Sequence, residues 1–273
     1  GGFDRDDVET ALPAAAALET YHNYTLLHDD LMDNADVRRG RPTVHKKWDA
    51  NTAILSGDTM LSLAYLHLAK VEAARLKPAL DLFTETALEV SEGQQYDMEF
   101  ENRNDVAEAE YIEMIRLKTS VLLACALKMG AMLAGASKED MELIYKFGEK
   151  VGLAFQLQDD YLDVYGDPAV FGKATGDITS NKKTYMLINA FNRSEGETRR
   201  ELERWISAKD FDREEKFRAV TAIYNKLGID RLAEEKIRQY FDESRGYLDR
   251  ISVSPERKQV LREYTERMMN RKK

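Results

Sequence analysis

Residues that interrupt helices are scarce in this chain. Its 273 residues include only 5 prolines and 15 glycines, and nearly every long segment places apolar residues at the helical spacing of three or four. The pattern shows no strand-like alternation, no internal repeat and no evident domain boundary. We therefore predict an all-α fold, with residues 1–273 forming one domain.

Local signals indicate where these helices begin and end. The first runs from Leu12 to about residue 33, and Pro78 is expected in the first turn of a later helix, where proline is tolerated. Asp105 is expected to cap the next helix, and Gly135 and Ser137 to separate it from a helix that ends near residue 165. Residues 164–183 are predicted to be the one extended loop. Residues 199–218 and 231–273 are predicted to form charged, solvent-facing outer helices.

Composition excludes some classes of protein. Hydrophobic residues make up 43% and charged residues 33% of the chain, which is enough apolar material for a core. The net charge of −9 argues against a nucleic-acid-binding scaffold, which normally has a basic face. It does not exclude an anionic substrate, since carboxylates that hold divalent cations also bind phosphate.

The single cysteine and the hydropathy pattern indicate in which cellular compartment the protein is expected. Cys125 is the single cysteine, so no disulfide can form within the chain, and we expect a buried thiol and a reducing compartment, the cytoplasm. The longest apolar stretch, residues 121–136, is interrupted by Lys128 and is too short to cross a bilayer. No signal peptide is evident, although the chain begins at Gly1 rather than at a methionine.

The strongest chemical signal is an acidic motif, Asp-Asp-x-x-Asp, that occurs twice. Its first and last carboxylates are four residues apart, which places them on one face of a helix, where like charges repel. A divalent cation removes that repulsion, and oxygen ligands suit Mg²⁺. One copy alone is more often a solvated helix face, but two copies late in apolar helices favour metal sites for a diphosphate. The motif residues are Asp29, Asp30 and Asp33, then Asp159, Asp160 and Asp163.

Basic residues accompany both motifs. Arg38 and Arg39 follow the first one and are suited to bidentate contacts with phosphate, although a basic turn that offsets a helix dipole is the alternative. Lys118, next to Thr119, lies in an otherwise apolar helix, where it must be paired or reach a site. The predicted loop, residues 164–183, is rich in glycine and adds three lysines, which would either close over phosphates or be solvated. They are Lys173, Lys182 and Lys183.

These motifs belong to a longer series of stretches that resembles the trans-isoprenyl diphosphate synthases, the farnesyl and geranylgeranyl diphosphate synthase family. The stretches are LLHDDLMDNADVRRGRPTVH, GDTML, GQQYDMEF, LKTS, FQLQDDYLDVYGD and FGKATGDITSNKKTY. The resemblance covers nearly the whole chain and implies the isoprenoid synthase fold, a helical bundle around a deep central cavity, usually homodimeric. It also implies a Mg²⁺-dependent prenyltransferase that couples isopentenyl diphosphate to dimethylallyl, geranyl or farnesyl diphosphate.

The resemblance also implies a role for each matching residue. The six motif aspartates would hold three Mg²⁺ on the allylic diphosphate, and Arg38, Lys118 and Lys182 would neutralise the departing pyrophosphate. The residues expected to contact the allylic diphosphate are Arg38, Lys118, Thr119, Gln156, Lys173 and Lys182. The residues expected near isopentenyl diphosphate are His22, Arg39 and Phe155.

Product length is expected to depend on the residues before the first motif. In the family the growing chain passes this motif towards the helix N-terminus, and Tyr24 and Thr25 precede Asp29 by five and four residues. Tyr24 is large enough to form a floor, although ordinary core packing is the alternative. With one aromatic residue there, a short product of C15 or C20 is expected.

The sequence departs from the family pattern in one place, and two other functions remain as alternatives. The family has a Gly-Lys-x-x-x-Arg-Pro type motif on an earlier helix, which is absent here, and we expect that the given chain lacks that first helix. A class I terpene cyclase also ionises prenyl diphosphates, but it has no isopentenyl site, and here Arg39 and His22 are present. A non-catalytic partner subunit is the second alternative, against which the two complete acidic motifs argue.

Overall fold

The computed structural model describes residue 3 and residues 8–166 and 176–270. The helices up to and including the one that carries the second acidic motif are preceded by a 3₁₀ turn, Glu9–Ala11. They are α1 (Leu12–Met32), α2 (Val44–Lys47), α3 (Ala50–Leu68), α4 (Ala73–Glu101), α5 (Glu108–Ile115), a π-helical turn (Arg116–Ser120), α6 (Val121–Leu133) and α7 (Lys138–Tyr165). The helices that follow are α8 (Gly176–Ser180), α9 (Tyr185–Arg193), α10 (Gly196–Ser207), α11 (Arg213–Leu227), α12 (Ile229–Arg250) and α13 (Pro255–Met269).

The chain divides into two compact units. Unit 1 comprises Gly1–Ala87 and Cys125–Glu142, and unit 2 comprises Leu88–Ala124 and Leu143–Lys273. The first acidic motif therefore belongs to unit 1 and the second to unit 2. No helix in the described ranges is both long and apolar enough to cross a membrane.

Unit 1 is organised by close packing of α1 against α3. Small buried residues such as Ala17 and Ala53 let the two helices approach. A Cβ on Gly57 would lie only 2.1 Å from Nε2 of His28, and this nitrogen lies 3.3 Å from the carbonyl oxygen of Ile54. A larger residue at position 57 would therefore force the imidazole to move, so the glycine leaves room for His28, the residue just before the first acidic motif.

A short hairpin follows α1. Val37–Arg38 pairs with Arg41–Pro42 in antiparallel register. The turn residues Arg39 and Gly40 have φ angles of 51° and 75°, both in the left-handed region that a tight two-residue hairpin requires. The hairpin determines where the two arginines after the motif are placed.

Apolar side chains pack into clusters among the described residues of unit 2. One joins α5, α7 and α12 through residues such as Tyr111, Leu157 and Phe241. Another joins α9, α10 and α11 through residues such as Leu187 and Val220. The two clusters support the middle and the end of α7, where the second acidic motif lies.

The predicted helix ends were partly confirmed. Gly135 has a φ of 86°, and the backbone N–H of Asp140 donates to Oγ of Ser137 at 3.1 Å, which caps α7 as predicted. The prediction for Pro78 was wrong, since α4 already begins at Ala73 and the proline lies inside the helix.

The predicted cap at Asp105 was also wrong. The N-cap of α5 is Ala107, whose backbone N–H donates to the carboxylate of Glu110 at 2.8 Å. Asp105 instead accepts from Arg103 at 2.9 Å. An arginine two residues away competes successfully for the carboxylate that would otherwise have capped the helix.

The predicted loop and outer helices need correction. Within residues 164–183, α7 continues to Tyr165 and Gly176–Ser180 is helical; Lys173 lies outside the described residues. Residues 199–218 contain the end of α10 and the start of α11 rather than one helix. Two charged residues of the outer helices, Lys216 and Lys258, are buried.

Candidate active site

Two carboxylates of the first acidic motif contact the same arginine. Nε of Arg38 lies 2.8 Å from both carboxylate oxygens of Asp30, and its Nη2 donates to Asp29 at 3.2 Å. Asp30 is buried, whereas Asp33, the C-cap of α1, is exposed. The structure thus brings together three predicted site residues, with one guanidinium serving two carboxylates.

The hairpin also places both arginines near His22. The pKa of His22 is lowered, chiefly by burial; Glu19 opposes this, and the charges of Arg39 and Arg38 add to it. Thr43 secures the base of the hairpin, since its hydroxyl donates to the carbonyl oxygen of Ala35 at 2.6 Å. His22 and Arg39, the two residues expected to bind isopentenyl diphosphate, therefore interact electrostatically. The lowered pKa favours the neutral form of the imidazole.

The centre of the second motif is a buried carboxylate. Asp160 accepts a hydrogen bond from the hydroxyl of Tyr111, and it accepts from Nε2 of Gln156 and from the backbone N–H of Tyr185, each at 3.4 Å. Burial, followed by the neighbouring carboxylate of Asp177, raises the pKa of Asp160 to about 7, against the lowering effects of the hydrogen bond from Tyr111, the charge of Lys182 and the hydrogen bond from Tyr185. Two carboxylates this close in a buried place favour an added positive charge.

The rest of the second motif is held by the start of α8. The backbone N–H of Asp177 donates to Oδ2 of Asp163 at 2.9 Å. Asp159 and Asp163 are both half-buried and one turn apart on α7. Lys182 is exposed, and its backbone N–H donates to the carbonyl oxygen of Asp177 at 3.0 Å. The turn after α8 is therefore tied to the motif by backbone hydrogen bonds.

Lys118 and Thr119 lie in the π-helical turn between α5 and α6. Such turns add a residue to the helix and are often found at functional sites. Nζ of Lys118 lies 2.6 Å from Oδ2 of Asp97, which explains how a lysine is accommodated here. The hydroxyl of Thr119 donates to Oε1 of Gln156 at 3.3 Å. Thr119, Gln156 and Asp160 thus form one chain of hydrogen bonds, and Phe155 is the half-buried residue before Gln156.

Two glycines press on the π-helical turn. A Cβ on Gly93 would lie 2.3 Å from the backbone nitrogen of Lys118, and a Cβ on Gly152 would lie 2.6 Å from Cα of Ser120. Real Cβ contacts are never this short, so only glycine lets α4 and α7 pack this closely against the turn. The position of Lys118 depends on both glycines.

Sequence reasoning missed three residues that complete this site. Asp97 and Asp177 are carboxylates inside two of the matching stretches, GQQYDMEF and FGKATGDITSNKKTY, so their residue type was an available signal. Tyr111 had no such local pattern. Burial raises the pKa of Tyr111 well above its usual value, so the phenol keeps its proton and remains a donor to Asp160.

The donor set fits a hard divalent cation. The motif side chains supply only oxygen ligands, two of them share Arg38, and Asp160 is buried beside a second carboxylate. Within the described residues, no group of three or more His, Cys, Asp or Glu side chains is already assembled as a metal site. Mg²⁺ commonly combines one or two carboxylates with water or phosphate oxygens, and the motif aspartates can supply such carboxylates.

Comparison with known proteins identifies the family. Residues 2–224 match the family model described as polyprenyl synthetase. A geranylgeranyl diphosphate synthase of Methanosarcina mazei is 47% identical over 190 residues, which are 68% of this chain and 59% of that protein. This chain therefore matches less than two thirds of that relative's length. A geranylfarnesyl diphosphate synthase of Aeropyrum pernix is 37% identical over 268 residues, 96% of this chain and 82% of that protein.

Solved structures agree in fold. A geranylgeranyl pyrophosphate synthase superimposes with a TM-score of 0.91 at 44% identity, covering 97% of this chain and 82% of that one. The Corynebacterium glutamicum geranylgeranyl pyrophosphate synthase, complexed with isoprenyl diphosphate and magnesium, gives a TM-score of 0.88 at 29% identity, covering 97% and 80%. The all-α isoprenoid synthase fold predicted from the motifs is confirmed. The chain belongs to the polyprenyl synthetase family.

Proposed function

We propose that the chain is a short-chain trans-prenyltransferase that joins isopentenyl diphosphate to an allylic diphosphate head to tail and releases pyrophosphate. The observation that carries this proposal is the pair of acidic motifs, each supplied with basic side chains. Relatives named as geranylgeranyl and geranylfarnesyl diphosphate synthases support the activity. Neither the terpene cyclase nor the non-catalytic subunit is favoured.

The six motif carboxylates are proposed to bind three Mg²⁺ together with the allylic diphosphate. Magnesium is named with isoprenyl diphosphate in the Corynebacterium glutamicum structure, which supports this choice of ion. When bound, Mg²⁺ stabilises the negative charge that forms on the departing pyrophosphate. The proposed ligands are Asp29, Asp30, Asp33, Asp159, Asp160 and Asp163.

Basic and polar side chains are proposed to hold the same diphosphate. Arg38 and Lys118 now contact carboxylates, and each can exchange that partner for a phosphate oxygen when substrate enters. Lys182 supplies a third positive charge, and Thr119 and Gln156 supply hydrogen bonds. Lys173 is included only because of its position in the stretch FGKATGDITSNKKTY.

The remaining chemistry needs no protein nucleophile. The bond between the allylic carbon and the diphosphate oxygen breaks, and its electron pair leaves with pyrophosphate, whose charge Arg38, Lys118 and Lys182 neutralise. The alkene of isopentenyl diphosphate attacks the allylic cation and forms the new carbon–carbon bond. A proton is then lost to the pyrophosphate. His22, Arg39 and Phe155 are proposed to hold isopentenyl diphosphate during these steps.

Two substitutions test this division between substrates. Lys118→Ala should mainly impair use of the allylic diphosphate, and Arg39→Asn should mainly raise the KM for isopentenyl diphosphate. Asparagine is chosen because Arg39 has a φ of 51°, which asparagine tolerates. Loss of one charge-assisted contact typically costs about 1.5–3 kcal/mol. Steady-state kinetics with each substrate varied in turn measures both effects.

A matched control is Lys128→Ala, which removes a lysine paired with Glu142 outside the proposed site. Its kinetic constants should stay within about twofold of the unsubstituted protein, as for an ordinary surface ion pair. If Lys118→Ala and Arg39→Asn changed the kinetics of both substrates equally, the proposed division would be wrong.

Product length is proposed to be C15 or C20, limited by Tyr24. Its ring centroid lies 5.5 Å from that of Tyr21 and 4.7 Å from that of His28, and Tyr21 in turn packs on Phe83 at 5.3 Å. Thr25 turns its hydroxyl to the carbonyl oxygen of His22 at 2.8 Å. Tyr24 thus belongs to an aromatic cluster between α1 and α4 that offers a physical barrier.

Tyr24→Ala should therefore lengthen the main product by at least one isoprene unit. Each added isoprene unit lengthens the product by four main-chain carbon atoms, and a phenol ring spans a comparable length, so removal of the ring should open room for roughly one unit. Chromatography of the products measures this, with the exposed Tyr264→Ala as a control that removes the same ring from the surface. An unchanged product distribution in Tyr24→Ala would place the barrier elsewhere.

We propose that the protein forms a homodimer through α3, because this helix has an apolar exposed surface. This helix exposes large apolar side chains, including Leu55 at 66% and Leu66 at 58% of their areas. Apolar residues clustered on one exposed helix are typical of a surface that packs against another protein. Sedimentation velocity tests the proposal, and a monomer at micromolar concentration would contradict it.

The proposed activity is tested with the full-length protein. Dimethylallyl, geranyl and farnesyl diphosphate are each supplied with Mg²⁺, with and without isopentenyl diphosphate, and the products are separated by chromatography. We expect longer prenyl diphosphates only when isopentenyl diphosphate is present. Efficient formation of a hydrocarbon or alcohol without it would instead support a cyclase.

A further inference from the structure

A buried lysine in unit 2 has no role in the chemistry proposed above. Lys216 on α11 has no exposed surface. Its Nζ donates to Oδ1 of Asn181 at 2.6 Å and lies 4.1 Å from the centroid of the Phe211 ring. In the described part of the chain, its charge is thus met by an amide oxygen and an aromatic ring instead of a carboxylate. Burial of an ammonium group is costly, so this arrangement calls for an explanation.

The burial of Lys258, on α13, has an ordinary explanation. Nζ of Lys258 donates to the carbonyl oxygens of Asp249 at 2.8 Å and Ile251 at 2.6 Å. It therefore caps the C-terminal end of α12, where a positive charge is favourable. Among the described residues, Lys216 is bonded to no helix-terminal carbonyl group, and its hydrogen bond goes to the side chain of Asn181.

Asn181 is held at both ends of its side-chain amide. Oδ1 accepts from Lys216, and Nδ2 donates to the carbonyl oxygen of Ile206 at 2.9 Å. Its backbone has a φ of 58°, a left-handed conformation that asparagine tolerates better than most residues. Two outer helices, α10 and α11, therefore fix the conformation of this one residue.

The residue fixed in this way lies next to Lys182. The backbone N–H of Lys182 donates to the carbonyl oxygen of Asp177 at 3.0 Å, and the N–H of Asp177 donates to Asp163 at 2.9 Å. Lys182 also acts electrostatically on Asp160. Movement of Asn181 would therefore be transmitted to Lys182 and to the second acidic motif.

We infer that Lys216 is a positioning residue: through Asn181 it fixes the turn that presents Lys182 to the second acidic motif. A charged donor makes a hydrogen bond roughly twice as strong as a neutral one, which explains why lysine occupies a place where an apolar residue would pack at lower cost. The inference rests on the proposed function, in which Lys182 contacts the allylic diphosphate. Lys216 itself does not touch substrate.

The first test does not require activity. In the free protein, Lys216→Met should speed amide hydrogen exchange in residues 176–184 by about tenfold, the change expected from losing about 1.4 kcal/mol of local stability. Lys258→Met, which removes the other buried lysine, should leave this segment unchanged. Asn181→Gly keeps the left-handed backbone and removes both side-chain hydrogen bonds, so it should reproduce the effect even if Lys216→Met folds poorly. Unchanged exchange in residues 176–184, or equal acceleration by Lys258→Met, would overturn the inference.

The second test is a kinetic double-mutant cycle. Lys216→Met should lower kcat/KM for the allylic diphosphate about tenfold and leave the KM for isopentenyl diphosphate within about twofold. In the Lys182→Ala background the same substitution should have less than about a twofold effect, because the residue that it positions is gone. Purely additive losses would show that Lys216 acts by another route.

The two proposals fail in different ways. An unsubstituted protein that forms no longer prenyl diphosphate would refute the proposed function, and hydrogen exchange would still decide whether Lys216 fixes the turn. An active unsubstituted protein with additive losses, or with unchanged exchange in Lys216→Met, would refute only the inference about Lys216.

Discussion

Replacement of Asp29 or Asp159 by alanine should reduce turnover by roughly 10²-fold or more, since each removes a charge that the proposed Mg²⁺ requires. Asp29 shares Arg38 with Asp30, so its loss also frees the guanidinium to bind Asp30 alone. Asp159 lies one turn from Asp163 on α7 and supplies the corresponding carboxylate of the second motif. Steady-state turnover, measured across a Mg²⁺ titration, tests both variants.

Chelation should have an even larger effect than either substitution. Excess chelator should abolish turnover and added Mg²⁺ should restore it. Asp242→Ala is the control, because this exposed carboxylate pairs with Arg245 on the surface and such pairs contribute little. Full turnover in excess chelator, or an Asp29→Ala variant as active as Asp242→Ala, would contradict the metal assignment.

The second large effect is expected from Gly93→Ala. The added Cβ would lie 2.3 Å from the backbone nitrogen of Lys118 and 2.7 Å from the backbone carbon of Leu117, so α4 or the π-helical turn must move. A shift of about 1 Å in a positioning element can cost about 10²-fold in rate. Overpacking of this kind should also lower the free energy of unfolding by about 1–3 kcal/mol. Kinetics and denaturant unfolding measure the two effects separately.

A glycine elsewhere in the chain provides the control. Gly130 also lies in a helix, α6, but a Cβ there would meet nothing within 4 Å, so Gly130→Ala should leave turnover unchanged and slightly favour the helix. Gly152→Ala should resemble Gly93→Ala, because its Cβ would meet Ser120 at 2.6 Å. Normal turnover in Gly93→Ala would show that Lys118 does not depend on this packing.

The predictions from sequence succeeded where local pattern and chemistry coincide. The first helix was expected over residues 12–33 and is observed over Leu12–Met32, because apolar spacing and the acidic motif define the same element. Arg38 was expected near the first motif because it follows the motif closely in the chain, but the hairpin that turns it back onto Asp29 and Asp30 was not predicted. Family membership followed from the order and spacing of the motifs.

The π-helical turn could not be predicted in this way. Its residues Arg116–Ser120 are ordinary helix formers, and the turn packs against Gly93 and Gly152, which are distant in the sequence. Tyr111 likewise meets Asp160 only through folding. Contacts of this kind arise from tertiary packing, which periodicity and spacing do not describe.

Lys216 illustrates a different limit. Helical periodicity places charged residues of an amphipathic helix on the solvent side, and residues 199–218 were accordingly predicted to be solvated. The structure buries Lys216 because Asn181 and Phe211 supply an amide oxygen and an aromatic face. A pattern that sorts residues by polarity cannot distinguish a charge that is exposed from one that has been given a buried partner.

Mass spectrometry of one reaction shows whether the protein transfers prenyl groups. The full-length protein is incubated with geranyl diphosphate, isopentenyl diphosphate and Mg²⁺, and prenyl diphosphates and inorganic pyrophosphate are quantified together. We expect products longer than geranyl diphosphate by whole isoprene units, with one pyrophosphate released for each unit added. Pyrophosphate release without any longer prenyl diphosphate, or no reaction at all, would contradict prenyl transfer.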